Sequence, residues 1–161
     1  MNLSITGPYD DVSPGSAADG ASQSAALCWR MNKGHVQILL VTSRDTGRWI
    51  IPKGWPMVGL SSAAAAAREA WEEAGVEGKV QECPIGTFVY DKLSRTAPAL
   101  HCKVAVHPLK VQALKLRYPE AHQRRRGWFA ATESANLVAE PQLQQMLLRV
   151  AEQPELLRGP A

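Results

Sequence analysis

The sequence predicts a single α/β domain, and three observations support this prediction. The chain has 161 residues, a length that suits one domain with a sizeable core. A near-continuous apolar run of strand length, residues 36–43, predicts a buried central strand. A strong helix-forming segment follows at residues 62–74, with strand-like segments on both sides. Strands and helices that alternate in this way indicate helices packed on a sheet.

Most of the chain outside that helix is predicted to form strands, because apolar residues alternate or run together between turn residues. The predicted strands are residues 24–31, 36–43, 48–51, 79–81, 85–93, 99–106 and 128–130. A hairpin turn at residues 32–34 joins the first two. The strand at residues 99–106 is expected to be antiparallel to the one before it. Pro108 is expected to start a loop that runs to Gly127.

Capping residues indicate where the helices begin and end. Gly75 follows the helix at residues 62–74 and is expected to end it. Thr132 is expected to cap a second helix that runs to about Val138. Pro141 suits the first turn of a last helix, because the N–H that proline lacks has no helical partner there.

Both ends of the chain are predicted to lie outside the folded domain. Residues 1–22 are rich in Gly, Ser, Pro, Ala and Asp without periodicity, which indicates a flexible N-terminal arm. Residues 154–161 are expected to form a frayed tail. The predicted domain is therefore residues 23–153.

Composition restricts the class of protein. No apolar run approaches the roughly 18 residues that a membrane span needs, and no secretory signal is visible. The cysteines Cys28, Cys83 and Cys102 form no C-x-x-C pair, which predicts reduced thiols in the cytoplasm and no zinc site. The net charge of +3 favours anionic partners such as phosphates. The pattern indicates no oligomeric state.

The helix at residues 62–74 gathers three carboxylates on one side. At about 100° per residue, Glu69, Glu72 and Glu73 fall within roughly one quadrant, and alanines occupy the other side. Carboxylates at this spacing repel each other by roughly a few tenths of a kcal/mol per pair. The residues alone leave two interpretations open: a solvated acidic face, or a site where carboxylate oxygens bind Mg²⁺.

The segment from residue 54 to residue 76 resembles the Nudix box, G-x5-E-x7-R-E-U-x-E-E-x-G-U, in which U is aliphatic. The residues that match in register are Gly54, Arg68, Glu69, Glu72, Glu73, Gly75 and Val76. One position departs, because Leu60 stands where the box has its first glutamate. Beyond the box, the order and spacing of residues 25–148 resemble the diphosphoinositol polyphosphate phosphohydrolase branch.

This resemblance implies a fold and a reaction. The implied fold is the Nudix α/β/α sandwich, a mixed sheet flanked by helices. The implied reaction is hydrolysis of a phosphoanhydride bond with Mg²⁺ or Mn²⁺ as cofactor. By resemblance, the catalytic and metal-binding residues are Glu69, Glu72 and Glu73, with the Gly54 carbonyl joining the metal shell and Arg68 orienting the acids. Glu120, in the predicted loop, is a candidate second base.

The resemblance also implies contacts with a phosphorylated small-molecule substrate. The candidate residues are Ser43, Arg44, Lys53, Arg125 and Arg126. An arginine offers a planar fork that matches phosphate, although a solvated surface charge is the alternative for Arg44 and for the arginine run that includes Arg125 and Arg126. The inositol branch has basic residues before its first strand, where this chain has residues 21–24 without Lys or Arg. Diadenosine and other nucleoside polyphosphates therefore stay open as substrates.

Three functional hypotheses follow. The intact run at residues 68–75 favours a metal-dependent hydrolase of phosphoanhydride bonds. The loss of the early glutamate at Leu60 motivates a catalytically weak nucleotide sensor. The arginine run at residues 124–126 motivates an RNA 5′-end pyrophosphohydrolase. The expected partner is a phosphorylated small molecule rather than a membrane or a nucleic acid.

Overall fold

The computed structural model describes residues 20–160. Its strands are β1 (Ala21–Asn32), β2 (His35–Thr42), β3 (Trp49–Ile50), β4 (Lys53–Gly54), β5 (Val76–Val80), β6 (Gly86–Lys92), β7 (Leu100–Leu114) and β8 (Arg126–Ala130). Its helices are α1 (Ser62–Ala74), α2 (Ala131–Leu137) and α3 (Pro141–Glu152), followed by a 3₁₀ helix (Pro154–Arg158). No helix within residues 20–160 is long and apolar enough to cross a membrane.

The strands form one mixed sheet, as predicted. Its central order is β3-β2-β1-β7-β5, while β4 pairs with β1, β6 with β7, and β8 with β2. β1 and β7 are parallel, and the other pairs are antiparallel, including β6 with β7. The hairpin turn between β1 and β2 is also confirmed, with Lys33 and Gly34 at positive φ angles of 51° and 80°.

Helices cover both faces of the sheet, which confirms the predicted α/β/α sandwich. On one face, alanines of α1 pack on Ala26, Leu39 and Val41. On the other, α2, α3 and the 3₁₀ helix pack on residues such as Leu27 and Leu40. Successive strand residues point to opposite faces, so β2 is buried on both faces and reads as a continuous apolar run.

The bounds of α1 are those the sequence predicts. The Ser61 side chain accepts a hydrogen bond from the Ala64 backbone N–H at 3.1 Å, which caps the first turn. Gly75 ends the helix with φ of 68°, a left-handed conformation that glycine adopts without a steric penalty. The small alanine side chains let the helix lie close to the sheet, and Ala66 and Ala70 are fully buried against it.

The expectation that Pro108 starts a loop is wrong, because β7 continues through it to Leu114. The Pro108 carbonyl accepts a hydrogen bond from the Gln81 backbone N–H at 2.8 Å. In a strand, the nitrogen of the same residue faces the same side. Pro108 lies between the stretch of β7 that pairs with β6 and the stretch that pairs with β5. No strand N–H bond is therefore lost at this proline.

Three boundary predictions also need correction. Thr132 does not cap α2, which begins at Ala131 without a side-chain cap. The tail is not frayed at residues 154–158, which form the 3₁₀ helix and bury Leu157 completely. β1 begins at Ala21, so the predicted arm overlaps the sheet by two residues. The rest of that arm, residues 1–19, lies outside the described residues.

The packing of α1 predicts different costs for two matched substitutions. Ala70→Asp buries a carboxylate among Ala26, Cys28 and Leu39, and we expect it to lower the free energy of unfolding by about 3 kcal/mol or more. Ala67→Asp, at a half-buried position on the same helix, should cost clearly less. Chemical denaturation of both variants measures the difference. Equal losses would contradict the orientation of α1.

Candidate active site

The acidic side of α1 lies against the edge strand β4. Gly54 pairs with Ser24 of β1, and its free side faces the Glu69 carboxylate. A Cβ atom at position 54 would overlap that carboxylate, so a glycine is required for this approach. The predicted loop glycine and the predicted helix acid are therefore brought into direct contact.

Glu73 lies beside Glu69 and is almost completely buried. The residue is 3% exposed, and its Oε1 atom has no hydrogen-bond partner. The backbone N–H of Lys53, in β4, faces the Glu73 carboxylate. A buried carboxylate oxygen without a donor is costly, so this side chain is poised for a cation or a proton.

Burial and mutual repulsion disfavour the charged forms of both acids. Burial, followed by the negative charges of Glu73, Glu72 and Glu120, raises the pKa of Glu69 to about 8. Burial also raises the pKa of Glu73 to about 7, although the nearby charges of Arg124 and Lys53 act in the opposite direction. Desolvation therefore outweighs the available counter-charge at this pair.

Arg124 is the buried cation of this group. Its side chain is 9% exposed, and its Nε atom donates to Glu120 Oε1 at 2.9 Å. Its Nη2 atom lies 3.8 Å from Glu73 Oε2, and its Nη1 atom donates to the Thr42 carbonyl at 3.1 Å. This first arginine of the run at residues 124–126 therefore holds acids from two segments together.

Glu120 joins the acidic group from the connection after β7. Its backbone N–H donates to the Glu72 carbonyl at 2.9 Å, which ties this connection to α1. Glu120 also raises the pKa values of Glu69 and Glu73 through its charge. The structure therefore brings this candidate base next to the box acids, although its Oε1 atom is already bound to Arg124.

Arg68 and Glu72 form a pair on the outer side of α1. Arg68 Nε donates to Glu72 Oε1 at 3.2 Å across one helical turn. The Arg68 side chain is 61% exposed, so this ion pair contributes little to stability. The contact gives Arg68 a means of orienting Glu72, and it leaves Glu69 and Glu73 as the acids that face β4.

The residues present fit a divalent cation, although they are not arranged as a finished metal site. Within residues 20–160, no group of three His, Cys, Asp or Glu side chains is set to hold a metal ion. Two observations nevertheless suit one: the unpartnered Glu73 Oε1 atom, and the contact of the Glu69 carboxylate with Gly54. Hard cations prefer carboxylate and carbonyl oxygens, which these three residues supply.

Lys53 follows the alternation of β4 and points to the opposite face from Gly54. Its Nζ atom lies 4.9 Å from the centre of the Tyr90 ring. Burial lowers the pKa of Lys53, while the charges of Glu73 and Glu140 oppose the shift. Because Lys53 is the neighbour of Gly54 in the edge strand β4, a ligand held at Gly54 would lie close to Lys53 and to the residues around it, Tyr90 and Glu140.

The sequence analysis did not identify Glu140, the acid near Lys53. It is buried directly before α3, and its Oε1 atom accepts a hydrogen bond from Arg48 Nη1 at 2.8 Å. Gln23, on β1, accepts a hydrogen bond from the Tyr90 hydroxyl at 2.6 Å and was also missed. The acid immediately before Pro141 was the available signal for Glu140.

Ser43 and Arg44 are placed differently from each other. The Ser43 hydroxyl is engaged in its own turn, with Thr46 Oγ1 at 2.6 Å and the Arg48 backbone N–H at 3.3 Å. Arg44 is 60% exposed, donates to Gln123 at 3.3 Å and lies 3.9 Å from Glu120. Arg44 therefore stands at the mouth of the acidic group.

The side chains of Arg125 and Arg126 make different contacts. Arg125 lies over the Trp49 ring at 5.6 Å, and its backbone N–H donates to Thr42 Oγ1. Arg126 Nη1 donates to the Ala74 carbonyl at 2.6 Å, where a cation suits the C-terminal end of α1. Arg126 therefore helps to terminate α1, whereas Arg125 is exposed at the surface.

Solved structures share this fold. One is a C. elegans Ap4A hydrolase, with a TM-score of 0.59 and 21% identity over 81% of this chain and 94% of that chain. Another is the E. coli dihydroneopterin triphosphate pyrophosphohydrolase, with a TM-score of 0.64 and 15% identity over 82% and 95%. The fold class is therefore an α/β/α sandwich of the kind that these hydrolases have.

The family model of the NUDIX domain matches residues 21–149, and the chain belongs to the Nudix family. Nudix hydrolase 12, mitochondrial, of Arabidopsis thaliana is 33% identical over 129 residues, or 76% of this chain and 64% of that protein. Human diphosphoinositol polyphosphate phosphohydrolase 3-alpha is 40% identical over 58 residues, or 36% and 35%. The matched part of this chain thus spans less than two thirds of either relative.

The buried acids predict a stability that depends on pH when divalent ions are removed. The pKa of folded Glu69 exceeds its ordinary value near 4.5, so the folded chain binds the extra proton. Stability should therefore fall as the pH rises from about 4.5 to about 8. Glu69→Gln removes the charge, and we expect it to raise the melting temperature at pH 8 by about 3 °C with little change at pH 5.

Scanning calorimetry in EDTA measures this effect. Glu77→Gln, at an exposed acid just after α1, is the matched control and should change the melting temperature little at either pH. A Glu69→Gln variant that is less stable than the parent protein at pH 8 would contradict the unfavourable burial of this charge.

Proposed function

We propose that the protein hydrolyses a phosphoanhydride bond in a highly phosphorylated small molecule, with Mg²⁺ or Mn²⁺ as cofactor. The observation that carries this proposal is the pair formed by the buried Glu73 and the half-buried Glu69 against Gly54, at an open edge of the sheet. A pair of acids so poorly compensated suits a divalent cation. Membership of the Nudix family supports the same reaction class.

The roles of the residues follow from their positions. A bound divalent ion would neutralise phosphate oxygens and lower the pKa of a water bound to it. Glu73 and the Gly54 carbonyl would hold such an ion. Glu72 extends the acidic surface outward, and its contact with Arg68 orients it. Glu69 is the better-placed proton acceptor, because the Glu120 carboxylate is already bound to Arg124.

Cations around the opening suit a substrate that carries several phosphates. Arg44 stands at the mouth on one side, Lys53 lies on the far face of β4, and Arg125 is exposed nearby. Glu140 introduces a negative charge close to Lys53, which opposes a dense cluster of phosphates there. This distribution favours a nucleoside or dinucleoside polyphosphate over a diphosphoinositol polyphosphate.

An RNA substrate has less support. The arginine run at residues 124–126, which motivated it, is divided among an internal ion pair, an aromatic contact and a helix end. A nucleic-acid surface needs basic side chains that face one strand together.

The proposed location is the cytoplasm, on the grounds of the reduced cysteines, while several plant relatives are named as mitochondrial.

A hydrolysis screen tests the proposal. Diadenosine polyphosphates, nucleoside triphosphates and diphosphoinositol polyphosphates are incubated with the protein in Mg²⁺ or Mn²⁺, and the products are identified. We expect turnover of at least one nucleoside polyphosphate. Glu73→Gln should lower kcat/KM roughly 100-fold, because it removes the negative charge that would hold the divalent ion.

Glu77→Gln serves as the control, because it removes one acid from the surface beyond α1. Full activity of Glu73→Gln would overturn the assigned role. Tight nucleotide binding without turnover by the parent protein would instead favour the sensor hypothesis, which the exposed Leu60 at the place of the early glutamate motivates.

A further inference from the structure

The guanidinium group of Arg124 lies between two acids that belong to different segments of the chain. Its Nε atom donates to Glu120 Oε1 at 2.9 Å, and its Nη2 atom lies 3.8 Å from Glu73 Oε2. The exposed fractions of the three side chains are 9% for Arg124, 18% for Glu120 and 4% for Glu73. These charges act strongly on one another, because little water lies between them to screen them.

Backbone contacts hold this guanidinium group in place. Its Nη1 atom donates to the carbonyl of Thr42, the last residue of β2, at 3.1 Å. The Thr42 backbone N–H donates to the Arg125 carbonyl at 3.0 Å, which pairs this part of the chain with β2. The Glu120 backbone N–H donates to the Glu72 carbonyl at 2.9 Å. Arg124 is therefore anchored to the sheet, and its acid partner Glu120 is anchored to α1.

The contact of Arg124 with Glu73 is the looser of its two ion pairs. At 3.8 Å it is longer than a hydrogen bond, and Glu73 Oε1 has no hydrogen-bond partner. Arg124 therefore brings a positive charge close to Glu73 without occupying both of its oxygen atoms. A bidentate arginine–carboxylate pair would occupy both. Glu73 Oε1 thus remains available to a second cation.

We propose that Arg124 is a resident counter-ion of the acidic site and that its charge weakens the binding of a divalent cation there. Arg124 offsets the repulsion between Glu73 and Glu120 when no metal is bound, and the same positive charge opposes a further cation at Glu73. The inference rests on the proposed function for the divalent-ion site, and it assigns a residue that sets the affinity of that site. Arg124 acts through the two acids, so it is a positioning residue.

Two opposite effects of one substitution distinguish this role from a purely structural one. Arg124→Gln keeps a polar side chain but removes the charge, so the acids lose their counter-ion in the metal-free chain. The melting temperature in EDTA should therefore fall. The affinity for Mn²⁺ should rise, because the competing positive charge is gone. A residue that only stabilised the connection after β7 would not raise the affinity for Mn²⁺ when it is replaced.

Calorimetric titration of the full chain with Mn²⁺, without substrate, measures the affinity. We expect Arg124→Gln to bind Mn²⁺ roughly tenfold more tightly than the parent protein. Arg124→Lys keeps the positive charge, so its affinity should stay within about threefold of the parent value. Scanning calorimetry in EDTA should show Arg124→Gln melting about 3 °C or more below the parent protein.

Arg117→Gln is the matched control, because it removes the same charge from an exposed position of the same connection. Its affinity for Mn²⁺ and its melting temperature should both match those of the parent protein. Equal or weaker Mn²⁺ binding by Arg124→Gln would overturn the proposal, and so would Mn²⁺ binding by Arg124→Lys as tight as that by Arg124→Gln.

A second comparison removes the acid that Arg124→Gln leaves unpaired at position 120, in case the single variant does not fold. The double variant Arg124→Gln/Glu120→Gln should bind Mn²⁺ more tightly than Glu120→Gln alone, because only the charge at position 124 differs between the two. Equal affinity in this pair would also overturn the proposal.

The outcome is separable from that of the hydrolysis screen. Turnover of a phosphorylated substrate, together with an unchanged Mn²⁺ affinity in Arg124→Gln, would leave the proposed function in place and remove the role of Arg124. Tighter Mn²⁺ binding by Arg124→Gln, together with no turnover, would keep that role and remove the hydrolase.

Discussion

Two neighbouring carboxylates, the half-buried Glu69 and the buried Glu73, constrain the rest of this fold. They lie on the edge of α1 that meets β4, where desolvation and repulsion raise both of their pKa values. Such a pair destabilises the folded chain unless a cation or a proton compensates it. The surrounding structure limits this cost in two ways: Gly54 gives Glu69 room, and Arg124 supplies a positive charge near Glu73.

The helix that carries the acids, α1, packs on the sheet mainly through alanines, whose side chains are small. Alanines such as Ala66 and Ala70 bury little area each, but they let α1 lie close to the sheet. A larger residue would lift the helix and move its acids away from β4. The larger apolar side chains are buried in the sheet, where β2 is buried on both faces, and in α3 on the opposite face.

Local sequence patterns predicted most of the helices and strands, but they did not predict contacts between residues far apart in the chain. The C-terminal end of α1 followed from Gly75, and the grouping of the box acids followed from their spacing. The course of β7 through Pro108 depends on which neighbouring strand faces that nitrogen, and a single sequence does not reveal this. The contacts of Arg124, and the hydrogen bonds that join Ser24, Ser62 and His107, unite residues far apart in the chain. They become visible only when the fold brings these residues together.

Glu69, Glu73 and Gly54 are the proposed centre of a divalent-cation site. Its most direct test is the affinity for Mn²⁺ without substrate, measured by calorimetric titration of the parent protein and of Glu73→Gln. We expect one class of Mn²⁺ site in the parent protein and an affinity at least about tenfold weaker in the variant. Absence of Mn²⁺ binding by the parent protein, or equal affinity in the two proteins, would contradict it.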